Sequence, residues 1–334
     1  MTDEGAILSV RDLTVDVELP EGPARIVDGV SFDVRANEVF GIVGESGSGK
    51  SIAMLAIMGL LPGSNMRIAR GQVLFRGRDL AVLTAQEMRR LRGGELGMIF
   101  QDPMTSLNPV LRVGRQIGET VRIHHPDLSK HGVEARVLEL LDLVGIPNPR
   151  RRYRQYPHEF SGGMRQRAMI AMAIANDPVL LIADEPTTAL DVTIQVQIME
   201  LLAAVRARTG ASMVLITHDL GLVAETADRI AVMYGGRIME AASAQALFGA
   251  PRHPYTVGLL RSLPELHRST ESLYSIPGQP PSVRDRPSGC VFHPRCGLSN
   301  GRAPCEERVP ELATAGASHH LAACHYSDET PQWR

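Results

Sequence analysis

Eight consecutive residues, Gly44-Glu45-Ser46-Gly47-Ser48-Gly49-Lys50-Ser51, restrict this chain to few folds. They match the pattern G-x-x-x-x-G-K-[ST], with an apolar run fit for a buried strand before them (39–43) and a helical apolar spacing after them (52–61). Strand, glycine-rich turn and helix in that order aim a row of backbone N–H groups and a helix N-terminus at one point, which suits a polyphosphate. In such a cradle Lys50 reaches the β- and γ-phosphates and the Ser51 hydroxyl takes a Mg²⁺. A glycine-rich surface turn is the plain alternative, but strand, loop, Lys-Ser pair and helix agree against it. The chain is expected to bind a nucleoside triphosphate.

With 334 residues there is room for roughly two domains. A hydrophobic content of 44% is enough for a core. The net charge of −2 against 35 Lys and Arg gives no basic field, so composition offers no support for nucleic-acid binding. The short basic runs 89–92 and 150–152 read as solvated faces. Met1-Thr2-Asp3-Glu4-Gly5 lacks the apolar core of a signal peptide. No apolar run approaches the roughly 18 residues of a spanning helix, so a soluble, cytoplasmic protein is expected.

Along the chain, residues 7–17 and 25–34 alternate as two strands around a turn at Pro20-Glu21-Gly22-Pro23, and 71–75 adds another strand. Pro62-Gly63 is the expected end of the helix after the glycine loop. Residues 113–145 have a helical pattern. Ser161 is a good N-cap for a helix through 175, and Gly162-Gly163 would again bare backbone donors to an anion. Residues 179–183 form an apolar strand ending in Asp184-Glu185, the place where P-loop proteins keep an acid for Mg²⁺. Alternating helices and strands continue to about residue 241, which predicts an α/β class. Beyond Ala250, prolines such as Pro251, Pro254, Pro277, Pro280 and Pro281 leave room only for short elements, among them a helix over 255–262. All four cysteines, Cys290, Cys296, Cys305 and Cys324, fall in this tail.

Taken together, these residues resemble an ATP-binding cassette (ABC) ATPase over about residues 7–250. Gln101 stands at the Q-loop, Phe160-Ser161-Gly162-Gly163-Met164 at the signature and Leu181-Ile182-Ala183-Asp184-Glu185 at Walker B. Thr188-Ala189-Leu190-Asp191 stands at the D-loop and Thr217-His218-Asp219 at the switch histidine. Within that family the run 100–109, the run 184–195, Pro251-Arg252-His253-Pro254-Tyr255-Thr256 and the cysteine-bearing tail are similar to the ATPase subunits of bacterial dipeptide and oligopeptide importers. The resemblance implies a P-loop cassette core (1–250) with an antiparallel β subdomain and a helical insert (about 102–157), then a Pro-rich C-terminal extension (251–334). Two departures stand out: Met164 replaces the usual glutamine, and Val17 occupies the place of an adenine-stacking aromatic, leaving stacking weak or to another group such as the Arg25 guanidinium.

What the resemblance implies about mechanism is specific. Glu185 serves the attacking water, Lys50 with Mg²⁺ (held by Ser51, Asp184 and Gln101) neutralises the phosphoryl charge, and His218 senses the γ-phosphate. Ser161, Gly162, Gly163 and Asp191 would close over the P-loop of a second ABC ATPase subunit, in a heterodimer that docks on two membrane permease subunits fed by an extracytoplasmic binding protein. The place of work would be the cytoplasmic face of the membrane. A soluble cassette of DNA repair or translation lacks support, because neither a coiled-coil insert nor a second cassette is present. A P-loop kinase is opposed by the signature, while nickel and other solutes share close relatives of this subunit.

For the tail, Cys290-x₅-Cys296-x₈-Cys305-x₁₈-Cys324 in a segment poor in apolar residues points to a metal centre that would supply folding free energy. Disulfides suit a reducing compartment poorly, and structural zinc sites usually include a close C-x₂₋₄-C pair that is absent here. Zinc stays open. Similarity to peptide-importer subunits favours a [4Fe–4S] cluster on all four cysteines.

Overall fold

The computed structural model describes residues 5–188, 190–263, 274–316 and 319–332. Among these the strands are β1 (Ala6–Leu19), β2 (Gly22–Arg35), β3 (Val39–Val43), β4 (Met66–Phe75), β5 (Arg78–Asp79), β6 (Leu96–Ile99), β7 (Leu180–Asp184), β8 (Ser212–Thr217), β9 (Arg229–Tyr234), β10 (Arg237–Ser243), β11 (Ala313–Thr314) and β12 (Leu321–Ala322). The first helices are α1 (Lys50–Ile57), α2 (Ala85–Leu91), α3 (Pro103–Ser106), α4 (Val113–His124), α5 (Lys130–Leu143) and α6 (Pro149–Arg152). They are followed by α7 (Gly162–Ala173), α8 (Val192–Thr209), α9 (Leu220–Thr226), α10 (Ala244–Gly249), α11 (Pro254–Arg261) and α12 (Ala303–Glu307). The chain divides into two compact units, Met1–Ala81 with Leu215–Arg334, and Val82–Val214.

In the first unit, β1 buries Leu8, Val10, Leu13, Val15 and Val17, and a register shift around Asp12 (φ +50°) lets that row stay inside along a 14-residue strand. It pairs antiparallel with β2 and β4 in a sheet of order β2-β1-β4-β5. Fully buried β3 runs parallel to β9, as an apolar strand covered on both faces should, and β9 turns at Gly235-Gly236 into antiparallel β10. The C-terminal extension joins this sheet, because β12 pairs with β10 through Glu240↔Ala322 and Ala241↔Leu321. Helix α1 stops at Ile57, short of the expected Pro62-Gly63. Gly59 takes φ +62°, and Leu60 N–H and Gly59 N–H donate to Leu55 O (2.7 Å) and Ala56 O (3.0 Å), a Schellman ending that needs the glycine.

An ion cluster marks β2. Buried Asp28 accepts from Arg25 (3.2 Å), Arg286 (2.8 Å) and Arg237 (2.7 Å). Burial alone would raise its pKa, but Arg237, Arg286 and Arg25 hold it below the ordinary carboxylate value.

In the second unit, β6 and β7 are parallel, with Leu96↔Leu180 through Ile99↔Ala183 in register. The helical run expected at 113–145 is two helices, α4 and α5, burying Val113, Ile117 and Val121 on one and Val133, Val137, Leu140 and Leu141 on the other. The break falls at His125-Pro126, since a residue before proline avoids the helical region, and Ser129 restarts the helix by accepting from Gly132 N–H (3.1 Å).

Candidate nucleotide site and cysteine cavity

In the first unit the glycine loop leaves buried β3 and enters α1 through three positive-φ glycines, Gly44 (+153°), Gly47 (+78°) and Gly49 (+98°). A Cβ on Gly44 would lie 2.0 Å from Met233 O, so no other residue fits there. Gly49 is the N-cap of α1 with no side chain capping it, so the first N–H groups of α1 face the loop as donors for an anion. Lys50 is 4% exposed and its Nζ donates to Gly44 O (2.7 Å), Glu45 O (2.9 Å) and Ser48 Oγ (3.3 Å). Ser46 and Gly47 are exposed, Ser48 and Gly49 buried, and Ser51 half-buried. Glu45 is gripped by two residues far along the chain, Tyr255 and Arg295. His218, exposed just after β8, sits beside Asp219, which caps α9 by accepting from Leu222 N–H (3.1 Å). Val17 is buried in β1, and Arg25 is tied to Asp16 (3.3 Å) and Asp28.

In the second unit the structure gathers the acid and the glutamine. Glu185 Oε2 accepts from Gln101 Nε2 (3.1 Å) and Thr188 Oγ1 (2.7 Å), directly beyond buried Asp184 at the end of β7. Its φ of +46° is unusual for a non-glycine residue and breaks the extended backbone just past the end of β7. Ser161 caps α7 by accepting from Met164 N–H (3.3 Å), and Asp191 caps α8 by accepting from Ile194 N–H (2.9 Å). Ser161, Gly162 and Asp191 are exposed and Gly163 half-buried. Ala189 of the expected D-loop lies outside the described residues. Residue-by-residue reading missed Thr188 as a partner of Glu185, and it missed Gln166, buried two places beyond Met164, whose amide donates to Pro186 O (2.6 Å) and ties α7 to the acid-bearing loop.

In the extension, all four cysteines are reduced and line one tight cavity of about 10 Å³, together with Phe292 and Tyr326. Cys290 N–H donates to Cys305 O (2.8 Å) and Tyr326 N–H to Cys324 Sγ (3.4 Å). Burial first, then repulsion from the other thiolates, pushes Cys290 up to about 11 and Cys324 up to about 12. Among the described residues no group of three or more His, Cys, Asp or Glu is drawn together tightly enough to grip one ion.

A glycine cradle at the mouth of a parallel strand, an acid pair closing a second such strand and a serine-capped glycine pair opening a long helix define a P-loop ATPase of the cassette type. The comparisons with known proteins agree. Residues 27–188 match the family of ABC transporters, and residues 239–305 match the oligopeptide/dipeptide transporter C-terminal region. The chain is 49% identical to the dipeptide transport ATP-binding protein DppD of Bacillus subtilis over 323 residues, 97% of this chain and 95% of that protein. It is 50% identical to DppD of Escherichia coli (96% and 97% covered) and 53% identical to the oligopeptide transport ATP-binding protein OppD of B. subtilis (86% and 80%). Among solved structures, the ATP-binding cassette MJ0796 in a dimeric post-hydrolysis state bound to ADP and Pi aligns with TM-score 0.64 and 26% identity, over 71% of this chain and 98% of that one. The chain belongs to the ABC transporter ATPases that bear an oligopeptide/dipeptide transporter C-terminal region. No described helix is long and apolar enough to cross a membrane.

Proposed function

We propose that this chain is the ATP-hydrolysing subunit of an importer of dipeptides or oligopeptides, working at the cytoplasmic face of the membrane. It would act with a second ABC ATPase subunit in a heterodimer, two membrane permease subunits and an extracytoplasmic binding protein. The observation that carries this reading is the peptide-transporter C-terminal region following the cassette, with about 50% identity to dipeptide transport subunits along nearly the whole chain.

Lys50 would leave the carbonyls of Gly44 and Glu45 for the phosphates, so the loop's own oxygens hold the ammonium in readiness. Ser51, Asp184 and Gln101 are the residues that would hold Mg²⁺, which supplies positive charge to the phosphoryl group when bound. Glu185, already hydrogen-bonded to Gln101 and Thr188, would orient the attacking water and accept its proton, and His218 would read the γ-phosphate. Ser161, Gly162, Gly163 and Asp191 would face the nucleotide of the partner cassette; the exposure of Ser161, Gly162 and Asp191 in this chain supports that role. In the extension, Cys290, Cys296, Cys305 and Cys324 would hold a [4Fe–4S] cluster, a reading supported by four reduced thiols around one cavity. Binding would draw the thiols inward and release their protons, and the role is structural, not redox.

The reading is tested with the assembled transporter in proteoliposomes. Glu185→Gln should keep ATP binding within a few-fold while ATP-driven uptake of a labelled dipeptide and steady-state hydrolysis fall by about 10²–10⁴. Hydrolysis near the wild-type rate would overturn the assignment of Glu185. ATP-driven uptake of Ni²⁺ in place of dipeptide would overturn the substrate class.

A further inference from the structure

We propose that Arg295 and Tyr255, both from the C-terminal extension, are positioning residues of the nucleotide site, holding the P-loop in its phosphate-ready shape through Glu45. The extension would then be a working part of the ATP site. This rests on the P-loop being the nucleotide site.

The geometry is specific. The backbone N–H of Glu45 donates to the hydroxyl of Tyr255 (2.9 Å), and its carboxylate accepts from Arg295 Nη1 (2.8 Å). Glu45 is thus held at its main chain and at its side chain, one residue after Gly44 and five before Lys50. Arg295 has little freedom to let go. Its Nη1 also reaches the Tyr234 hydroxyl (3.1 Å), its Nε and Nη2 donate to Pro277 O (2.9 Å) and Ile276 O (3.2 Å), and the guanidinium lies 5.6 Å from the Tyr234 ring centroid. The Arg295 side chain is 6% exposed, so its pair with Glu45 is shielded from water far more than a surface ion pair.

Tyr255 is anchored equally well. It is fully buried, its ring centroid is 4.6 Å from Tyr234 and 5.2 Å from Phe292, and its backbone N–H donates to His253 Nδ1 (3.0 Å) at the start of α11. Burial keeps the phenol protonated and the His253 imidazole neutral, so Tyr255 can accept from Glu45 and His253 can accept from Tyr255. Tyr234, the residue both braces share, follows Met233, whose carbonyl allows only glycine at position 44. The glycine loop therefore rests on β9 at Gly44 and is pinned from the extension at Glu45.

A pinned loop need not be ordered by its ligand. Removing the pin makes each binding event order the loop afresh, which weakens ground state and transition state alike, so KM rises and kcat stays. In the assembled transporter, Arg295→Met should raise the KM for ATP about tenfold, the cost of re-ordering roughly one backbone residue, with kcat within about twofold. Arg295→Lys should fall between, since one ammonium cannot bridge the carboxylate, the phenol and two carbonyls. Tyr255→Phe, which keeps the buried ring, should raise KM by a similar factor and serves if Arg295→Met fails to fold. Arg295→Met combined with Glu45→Gln should add little to either alone, because both remove one interaction. Lys50→Ala is the control and should abolish binding of a fluorescent ATP analogue. Unchanged KM in both Arg295→Met and Tyr255→Phe while Lys50→Ala binds nothing sinks the brace alone; so does a fall in kcat at constant KM. Normal binding by Lys50→Ala sinks the P-loop reading beneath it.

Discussion

Glu185 and Asp28 are two carboxylates that this fold treats in opposite ways. Glu185 is kept in a left-handed backbone conformation, held by Gln101 and Thr188, a local cost that persists because the residues around it overdetermine it. Asp28 is buried and saturated with arginine. Its folded pKa lies below its unfolded value, so its contribution to stability is complete above about pH 4 and is lost as the pH falls through the folded pKa. Asp28→Asn should therefore lower stability at pH 7 by about 1–3 kcal/mol, the half-exposed Arg25 screening part of the effect. Thermal melts between pH 2.5 and 6 check this: the wild-type midpoint should drop toward that of the variant in acid, and parallel curves would refute it. At this scale the sequence was most readable, because Gly44, Lys50, Asp184 and Glu185 sit in spacings that only phosphate chemistry requires. The hydrogen bonds that prepare them, from Thr188, Gln166, Tyr255 and Arg295, come from residues with no spacing rule of their own.

Elements were legible where a local pattern decides them. Strand β3 was expected at 39–43 and has those bounds, because an apolar run between turn residues has few other uses. Helix α1 ended early at Gly59 since a Schellman turn outranks the later Pro62-Gly63, and within the helix-rich 113–145 segment a proline separates α4 from α5. Strand β12 was not legible at all: two residues, Leu321 and Ala322, become a strand because β10 and β11 pair with them. The loop carrying Cys290 and Cys296 likewise owes its path to partners elsewhere, such as Cys305 O and the P-loop glutamate. For the cysteine element, anaerobically purified protein should be brown with about four irons per chain, and Cys296→Ser should lose both colour and iron. Colourless protein with one zinc per chain would replace the cluster by the zinc reading.

At the scale of the whole molecule, Ser161, Gly162 and Asp191 are exposed, which fits the proposal that they face a second cassette. The purified chain alone should hydrolyse ATP at least about tenfold more slowly than the assembled transporter, since under the proposed arrangement the composite sites would be complete only in the complex. Equal rates per chain would argue that this cassette works alone. The division into units has a further consequence, in time. Val82–Val214 is a single continuous stretch, whereas the first unit joins Met1–Ala81 to Leu215–Arg334, and Arg295 and β12 lie near the chain's end. At a synthesis rate of roughly 5–20 residues per second, Glu45 leaves the ribosome about 10–50 s before its arginine exists. For that interval the glycine loop lacks its proposed brace, so a newborn chain would hold ATP only with the weaker affinity of the unbraced loop until residue 295 has emerged.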